Sequence, residues 1–306
     1  MDTILLAGNG SGSRLIRGEH KSFLVVAGIP LLIRAIAALE RVEAIEKICV
    51  IGPRDRILAL IQQYAGNLQN NKDTFVLEQK DDLYQNCMHA FVSLIPGYEE
   101  GVELNDAAIF EKPVLLVASD LPLLCAAEVE EFLAACGQKN LDYCVGMTEE
   151  KHLKRFEPSK ELPGFNWNYL HLVEGNYRLN NLHLIKPFKV GNRIYLEKLY
   201  QRRHQKSLMN IAATFYDFAI FEKMGFMPVV TFLLMELCVL CRHLGLEPLV
   251  NLFRRFSSKA RLSRYAGKLL KAKVEIVCTT LGGSAADIDS EDDLAAVERR
   301  LIEWTQ

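Results

Sequence analysis

The sequence has no excess of charge of either sign. Its 36 Lys and Arg against 38 Asp and Glu leave a net charge of −2, which removes any global electrostatic bias toward nucleic acid. It holds no internal repeat and no low-complexity tract. Its densest apolar stretch, Phe226 to Cys241, is broken by Pro228, Thr231 and Glu236 and falls short of the roughly 20 residues a bilayer span needs. The 8 cysteines sit mostly inside apolar runs, a pattern of buried free thiols in a reducing compartment rather than a disulfide framework. Cys238, Cys241 and His243 invite a zinc reading, but no second cysteine pair accompanies them, and the spacing inside an apolar helix favours buried thiols. Two phosphate motifs are missing as well. No Gly-Lys pair followed by Ser or Thr occurs near the N-terminus, although His20-Lys21-Ser22 echoes one, and Gly8, Gly10 and Gly12 alternate without a helix starting after them. That sets aside the P-loop and the dinucleotide fingerprint.

What is present begins at once. Half of the 306 residues are hydrophobic, ample for a sizeable core. The first strand starts almost at Met1 with no signal peptide ahead of it, so a cytoplasmic location is expected. A short apolar run, Ile4 to Ala7, leads into Gly8, Asn9, Gly10, Ser11, Gly12 and Ser13. A buried strand ending in several glycines lets backbone amides turn inward and approach an anion closely. Arg14 and Lys21 add positive charge to that nest, Arg as a fork and Lys as a point charge. The N-terminus therefore reads as a polyphosphate cradle.

Along the chain, apolar runs and helical periods alternate. Strands are expected at Ile45 to Ile51, Thr74 to Leu77, Val114 to Ala118 and Asp142 to Met147, with helices at Leu31 to Leu39, Arg56 to Tyr64, Leu83 to Leu94 and Glu128 to Cys136. Residues 95–112 read as a polar loop. Such alternation predicts an α/β fold with a doubly wound, mostly parallel sheet, whose ligands bind beyond the carboxyl ends of the strands. The second half is less regular. Residues 150–168 read as a loop, 169–185 as a hairpin about Glu174-Gly175-Asn176, and 191–224 as helical. A basic run without an acid follows from Arg254 to Lys273, then a late strand at Val274 to Thr279 and a helix capped by Ser290. The organisation expected is a nucleotide-binding core of residues 1–150 and 274–306, with 151–273 as an acceptor-binding hairpin and helical insertion. The apolar segment at 226–241 and its basic sequel could together lie on an anionic membrane surface, or pack on the core with a solvated basic face.

Single residues add chemistry. Asp120 directly follows a strand and precedes Leu121-Pro122. A carboxylate there can hold Mg2+ against nucleotide phosphates or simply shape a turn. Asp287 and Asp289 alternate, so in an extended segment they share one face. Asp292 and Asp293 fall in a helix's first turn, where carboxylates offset the macrodipole.

Leu6-Ala7-Gly8, Gly10, Arg14, Lys21, Leu24, Val26, Gly28, Pro30 and Leu31 together resemble the signature of GT-A-like nucleotidyltransferases. In that superfamily L-A-G-G-x-G-x-R is followed by K-x-L-x-x-V-x-G-x-P-L. Asn9 stands where a glycine is usual, and the Arg-to-Lys spacer is irregular. Asp120-Leu121-Pro122-Leu123 and the 286–294 acidic phrase are similar to the molybdenum-cofactor guanylyltransferase-like (MobA-like) branch. The resemblance implies a Rossmann-like core in which Leu6 to Gly12 and Asn86 contact the nucleotide. It also implies that Arg14 and Lys21 act on the phosphates, and that Asp120 with Asp289, or less favourably Asp287, binds Mg2+. The partners implied are an NTP and a phosphorylated acceptor (a sugar, polyol or cofactor phosphate), with NMP transferred and pyrophosphate released. Asn180 and Asn181 would shape the acceptor site. A glycosyltransferase of similar fold would prefer D-x-D after the fourth strand, where this chain has Ser119 and Asp120. A catalytically silent nucleotide-binding or regulatory protein on this scaffold is the third reading, supported by Asn9.

Overall fold

The computed structural model describes residues 1–9, 15–97, 107–137, 140–192 and 225–305. The expected strands form and join one eight-stranded sheet: β1 (Asp2–Leu6), β2 (Lys47–Gly52), β3 (Asp73–Glu78), β4 (Val114–Ala118), β5 (Tyr143–Glu149), β6 (Leu170–Leu172), β7 (Gly175–Ile185) and β8 (Val274–Thr279). The order is β8-β5-β7-β4-β1-β2-β3, with β6 paired to β7. β1 is parallel to both β2 and β4, and β5 is parallel to β8. β7 runs antiparallel between β4 and β5. Residues 151–273 are therefore not separate from the sheet, since their hairpin supplies a strand to its middle.

Helices cover both faces. α1 (Leu31–Glu40), α2 (Arg54–Gln63) and α3 (Leu83–Ser93) sit close to their expected places. The stretch 95–112, read as loop, contains the short helix α4 (Ala107–Glu111). α5 (Ala126–Gly137) follows β4, and α6 (Glu150–Leu153) with a 3-10 turn opens the segment read as loop at 150–168. Leu32, Ile36 and Leu39 of α1 meet Val129 and Phe132 of α5 over one face of the sheet. Phe91 and Leu94 cover Ile4, Cys49 and Ile51 on the other. After a gap in the described residues come α7 (Met227–His243), α8 (Glu247–Phe253) and α9 (Lys259–Leu270). The expected helix at 191–224 lies almost wholly outside the described residues. Gly245, at φ +70°, ends α7 in the left-handed conformation, and the Leu246 amide donates to Cys241 O at 2.8 Å, the closure of a glycine C-cap. Cys238 and Cys241 lie on the buried face of α7, where the Cys238 thiol donates to Val250 O.

The C-terminal helix α10 (Glu291–Thr305) starts as expected. The Asp293 amide donates to Ser290 Oγ at 3.2 Å, and Asp293 Oδ2 accepts from the Asp289 amide at 3.1 Å, a reciprocal cap. Buried Arg300 of α10 donates to the carbonyls of Arg155, Glu157 and Pro163. Trp304 packs edge-on against Phe156, with Phe165 and Trp167 alongside, so the 154–168 segment is fastened to the helix.

Candidate active site

Adjacent parallel strands β1 and β4 bring their carboxyl ends together, with Leu6 level with Ala118. The Ser119 amide and hydroxyl both donate to Leu6 O, at 3.1 and 2.7 Å. Ser22 Oγ lies 2.7 Å from Ser119 Oγ, and Phe23 and Leu24 are buried beside it. The 3-10 turn Lys21–Phe23 is thus anchored to the end of β4 by a buried hydroxyl pair. Behind it Ala27 and Gly28, at φ 48° and 78°, form the tight turn of a small hairpin, Val25–Val26 with Ile29–Pro30. Two successive positive φ values explain why glycine follows Ala27.

Lys21 reaches across this end of the sheet. Its Nζ lies 3.5 Å from Asp120 Oδ2 and donates to Asp289 Oδ1. Asp287 stands aside, 2.9 Å from Arg178 Nη2. Three carboxylates from two distant segments thus meet one ammonium and one guanidinium. Burial, with Asp287 and Asp289 adding to it, pushes the Asp120 carboxyl up to about 6 against the pull of Lys21. Burial opposes the Lys21 charge, yet Asp120 and Asp289 raise its pKa overall. Burial and the neighbouring Asp289 raise Asp287, whereas Lys21 overcomes burial and lowers Asp289. Negative charge outruns its local partners here, and hard oxygens in that condition suit a hard divalent cation. Among the described residues no three His, Cys, Asp or Glu side chains are gathered closely enough to ligate a metal unaided. Mg2+ commonly completes its shell with water and substrate phosphates, so the Asp120 and Asp289 pair fits that ion.

On the other side of β1, Gly8 faces α3. A Cβ on Gly8 would stand 3.4 Å from both Asn86 Nδ2 and Gln79 Oε1. Asn86 is buried and accepts from the Lys80 amide at 2.5 Å. Gln79 accepts from the Asn9 amide at 2.9 Å and donates to Asn9 Oδ1 at 2.5 Å. Gly8, Asn9 and Asn86 therefore meet at one corner around Gln79, whereas Leu6 and Ala7 lead into it from β1 and pack in the core. Gly10, Ser11, Gly12 and Arg14 lie outside the described residues.

Sequence reasoning missed the device that places the acids. Glu128, in the first turn of α5 and fully buried, accepts four hydrogen bonds. They come from Thr279 Oγ1 (2.8 Å), the Gly282 amide (3.0 Å), the Ser284 amide (2.8 Å) and Ser284 Oγ (2.6 Å). The helix N-terminus favours a carboxylate there. The network continues inward, since Asn180 Nδ2 donates to Thr279 Oγ1 at 3.1 Å and Asn180 Oδ1 accepts from the Leu182 amide. Asn180 is thus a buried sheet stitch rather than an acceptor-facing group. Asn181 Nδ2 donates to Ser284 O, and Arg178 Nε to Ala285 O, both at 3.1 Å. Nothing in the spacing of Glu128 marked it, because a Glu in a helical first turn is ordinary capping chemistry.

The chain matches the MobA-like NTP transferase domain family over residues 3–216. No curated protein sequence matches it significantly. Among solved structures, a hypothetical transferase from Thermus thermophilus is 17% identical with a TM-score of 0.61, covering 96% of this chain and 98% of that one, which shows the same fold. A 4-diphosphocytidyl-2C-methyl-D-erythritol synthase from Anaerococcus prevotii is 13% identical with a TM-score of 0.48, covering 98% and 95%. A CMP:2-keto-3-deoxy-manno-octonic acid synthetase complexed with CTP is 13% identical with a TM-score of 0.47, covering 99% and 98%. The last two are too loosely similar to inform on substrate.

Proposed function

The chain belongs to the MobA-like NTP transferase family, and on that footing we propose that it transfers NMP from an NTP to a phosphorylated small-molecule acceptor and releases pyrophosphate. The observation that carries this reading is Lys21 held between Asp120 and Asp289 just past the carboxyl end of β4. An acceptor phosphate oxygen would attack the α-phosphorus in line as the bond to the β-phosphate breaks. That oxygen is already anionic, so no strong general base is needed. Lys21, with Arg14, would hold the β- and γ-phosphates and offset the charge that builds on the leaving pyrophosphate. Gly8 and its neighbours leave room for a close approach of the nucleotide. Asp120 and Asp289 would hold Mg2+, whose chemistry there is charge neutralisation and alignment of the phosphates. Positioning and electrostatic stabilisation would do most of the catalysis.

Pyrophosphate release from each of four NTPs, with Mg2+ and a panel of sugar and polyol phosphates, tests the proposal. Release that needs both an NTP and an acceptor phosphate is the expected result. Consumption of a nucleotide sugar would favour a glycosyltransferase instead. An NTP-dependent thermal shift without turnover would leave a silent nucleotide binder, as Asn9 at a usual glycine position suggests.

A further inference from the structure

The charge of the chain is unevenly placed. Residues 225–273 hold nine Lys and Arg against two Glu, so +7 sits there and −9 in the remainder. Arg255, Arg264, Lys268, Lys271 and Lys273 are exposed, and one of the two acids, Glu247, is paired with Arg242.

Ahead of most of these cations in the chain lies an apolar surface. α7 buries Pro228, Thr231, Cys238 and Cys241. The adjoining arc carries Met227, Val230, Leu233, Leu237, Leu240 and Leu244, spaced three or four residues apart and exposed from 39% at Val230 to 63% at Leu244. α8 and its flanks add Leu246, Leu249, Leu252 and Phe256, all exposed. Contiguous apolar surface of this kind marks an interaction site rather than ordinary solvent-facing scatter. Among the described residues no helix is long and apolar enough to cross a membrane, and α7 has 17 residues. An aliphatic stripe followed in sequence by a run of cations is the composition of a segment lying in a headgroup layer. Protein-binding patches centre instead on aromatic and Arg anchors, and here the aromatics, Phe226 and Phe256, stand only at the ends of an aliphatic stripe.

The surface is joined to the catalytic end of the sheet. Arg254 Nε donates to Leu172 O at 2.7 Å, and the Val173 amide to Ser257 O at 2.8 Å. Tyr177, opposite Leu170 at the far end of the β6–β7 pairing, also pairs with Glu149 at the carboxyl end of β5. The next residue, Arg178, holds Asp287.

We propose that α7 and α8 lay this apolar face on an anionic bilayer, with the basic residues of 254–273 toward the lipid headgroups. The inference stands on the surface itself and does not depend on the nucleotidyl-transfer reading.

Flotation of the full chain with phosphatidylcholine vesicles, with and without phosphatidylglycerol, tests it. Binding is expected only with phosphatidylglycerol, and salt should weaken it. Leu233→Gln with Leu240→Gln should cut it by roughly tenfold or more, as should Arg264→Glu with Lys268→Glu. Leu233 and Leu240 are exposed and outside the nucleotide site, so folding and NTP turnover in solution should not change. No flotation, or flotation unaffected by these substitutions, overturns the proposal. So does a dimer that Leu240→Gln dissociates, which would make a second copy the occupant. A Leu240→Cys thiol shielded from a water-soluble maleimide in the vesicle-free monomer would likewise overturn it, by showing the face covered within the chain.

Discussion

The Ile288 amide donates to the carbonyl oxygen of Asp120 at 3.2 Å. That bond fixes the end of β4 against the C-terminal loop, and the residues on either side of Ile288 are the acids Asp287 and Asp289. The spacing between Asp120 and Asp289 is therefore set by the backbone and not by flexible side chains alone. Replacing either acid should leave the fold intact and remove function. Asp120→Asn is expected to lower turnover by roughly 2–4 kcal/mol of transition-state stabilisation and to abolish the Mg2+-dependent part of an NTP thermal shift. Differential scanning fluorimetry with and without Mg2+ reads the second effect separately from the first. An unchanged Mg2+ response would remove Asp120 as a ligand.

Lys21 tests the phosphate side of the same site. Its ammonium is held charged by Asp120 and Asp289, so Lys21→Ala should lose roughly 2–4 kcal/mol of transition-state stabilisation. Circular dichroism should stay as in the wild type, because Ser22 and Phe23 provide the anchorage of the turn. Lys21→Arg should recover only part of the rate, since a planar fork cannot meet two carboxylates as a compact ammonium does. Near-wild-type turnover in Lys21→Ala would end its proposed role.

The sequence showed the strands of the sheet and the helices that first flank it, because apolar runs and their glycine boundaries are local signals. Strand order was less legible. That β7 enters antiparallel beside β4 depends on where the 151–185 segment docks, a tertiary choice that no local period encodes. α4 was hidden because a five-residue helix is too short to show a period. Asn180 was expected at the acceptor site by resemblance, and the sequence does not tell an exposed asparagine from a buried one. Its side chain instead fills the space opposite Gly146, where a Cβ would come within 1.8 Å of Asn180 Oδ1, and only that contact reveals its work.

His171 gives the fold a pH dependence away from the active site. It is buried in β6 and its Nδ1 lies 2.8 Å from Asn176 Oδ1. Burial pushes its pKa below the usual 6.5, and Arg242 and Arg254 push the same way against the Asn176 bond and Glu150. Its folded pKa therefore lies under its unfolded one. Above pH 6.5 both states are neutral and nothing is lost, whereas on acidification the unfolded chain takes up the proton first and stability falls. His171→Gln should flatten that fall in thermal melts across mildly acidic pH. A variant whose melting temperature tracks the wild type through this window would show that His171 contributes nothing to it.

Glu128 carries the strongest stability prediction. Glu128→Ala would leave two hydroxyls and two amides, those of Thr279, Ser284 and Gly282, without their acceptor in a site closed to water. Orphaned buried donors of this kind cost about 1–3 kcal/mol each, so a loss of roughly 3 kcal/mol or more is expected. At about 2–4 °C per kcal/mol for a chain somewhat smaller than this one, the melting temperature should drop by several degrees. The turn it holds cannot be rebuilt by other means, because a Cβ on Gly283 would sit 2.0 Å from Leu123 O, a backbone atom that cannot yield. Glu128→Gln can keep a carbonyl where Oε1 accepts three of the four bonds and then aims its NH2 at the Ser284 amide, so it should fall between alanine and the wild type. Since this turn feeds directly into Asp287 and Asp289, turnover measured well below the melting temperature should fall too, by roughly tenfold or more for a displacement near an ångström. Glu128→Gln with wild-type melting and turnover would separate the acids from this support and leave their placement to the remaining contacts, among them Arg178 with Asp287 and the Ile288 bond.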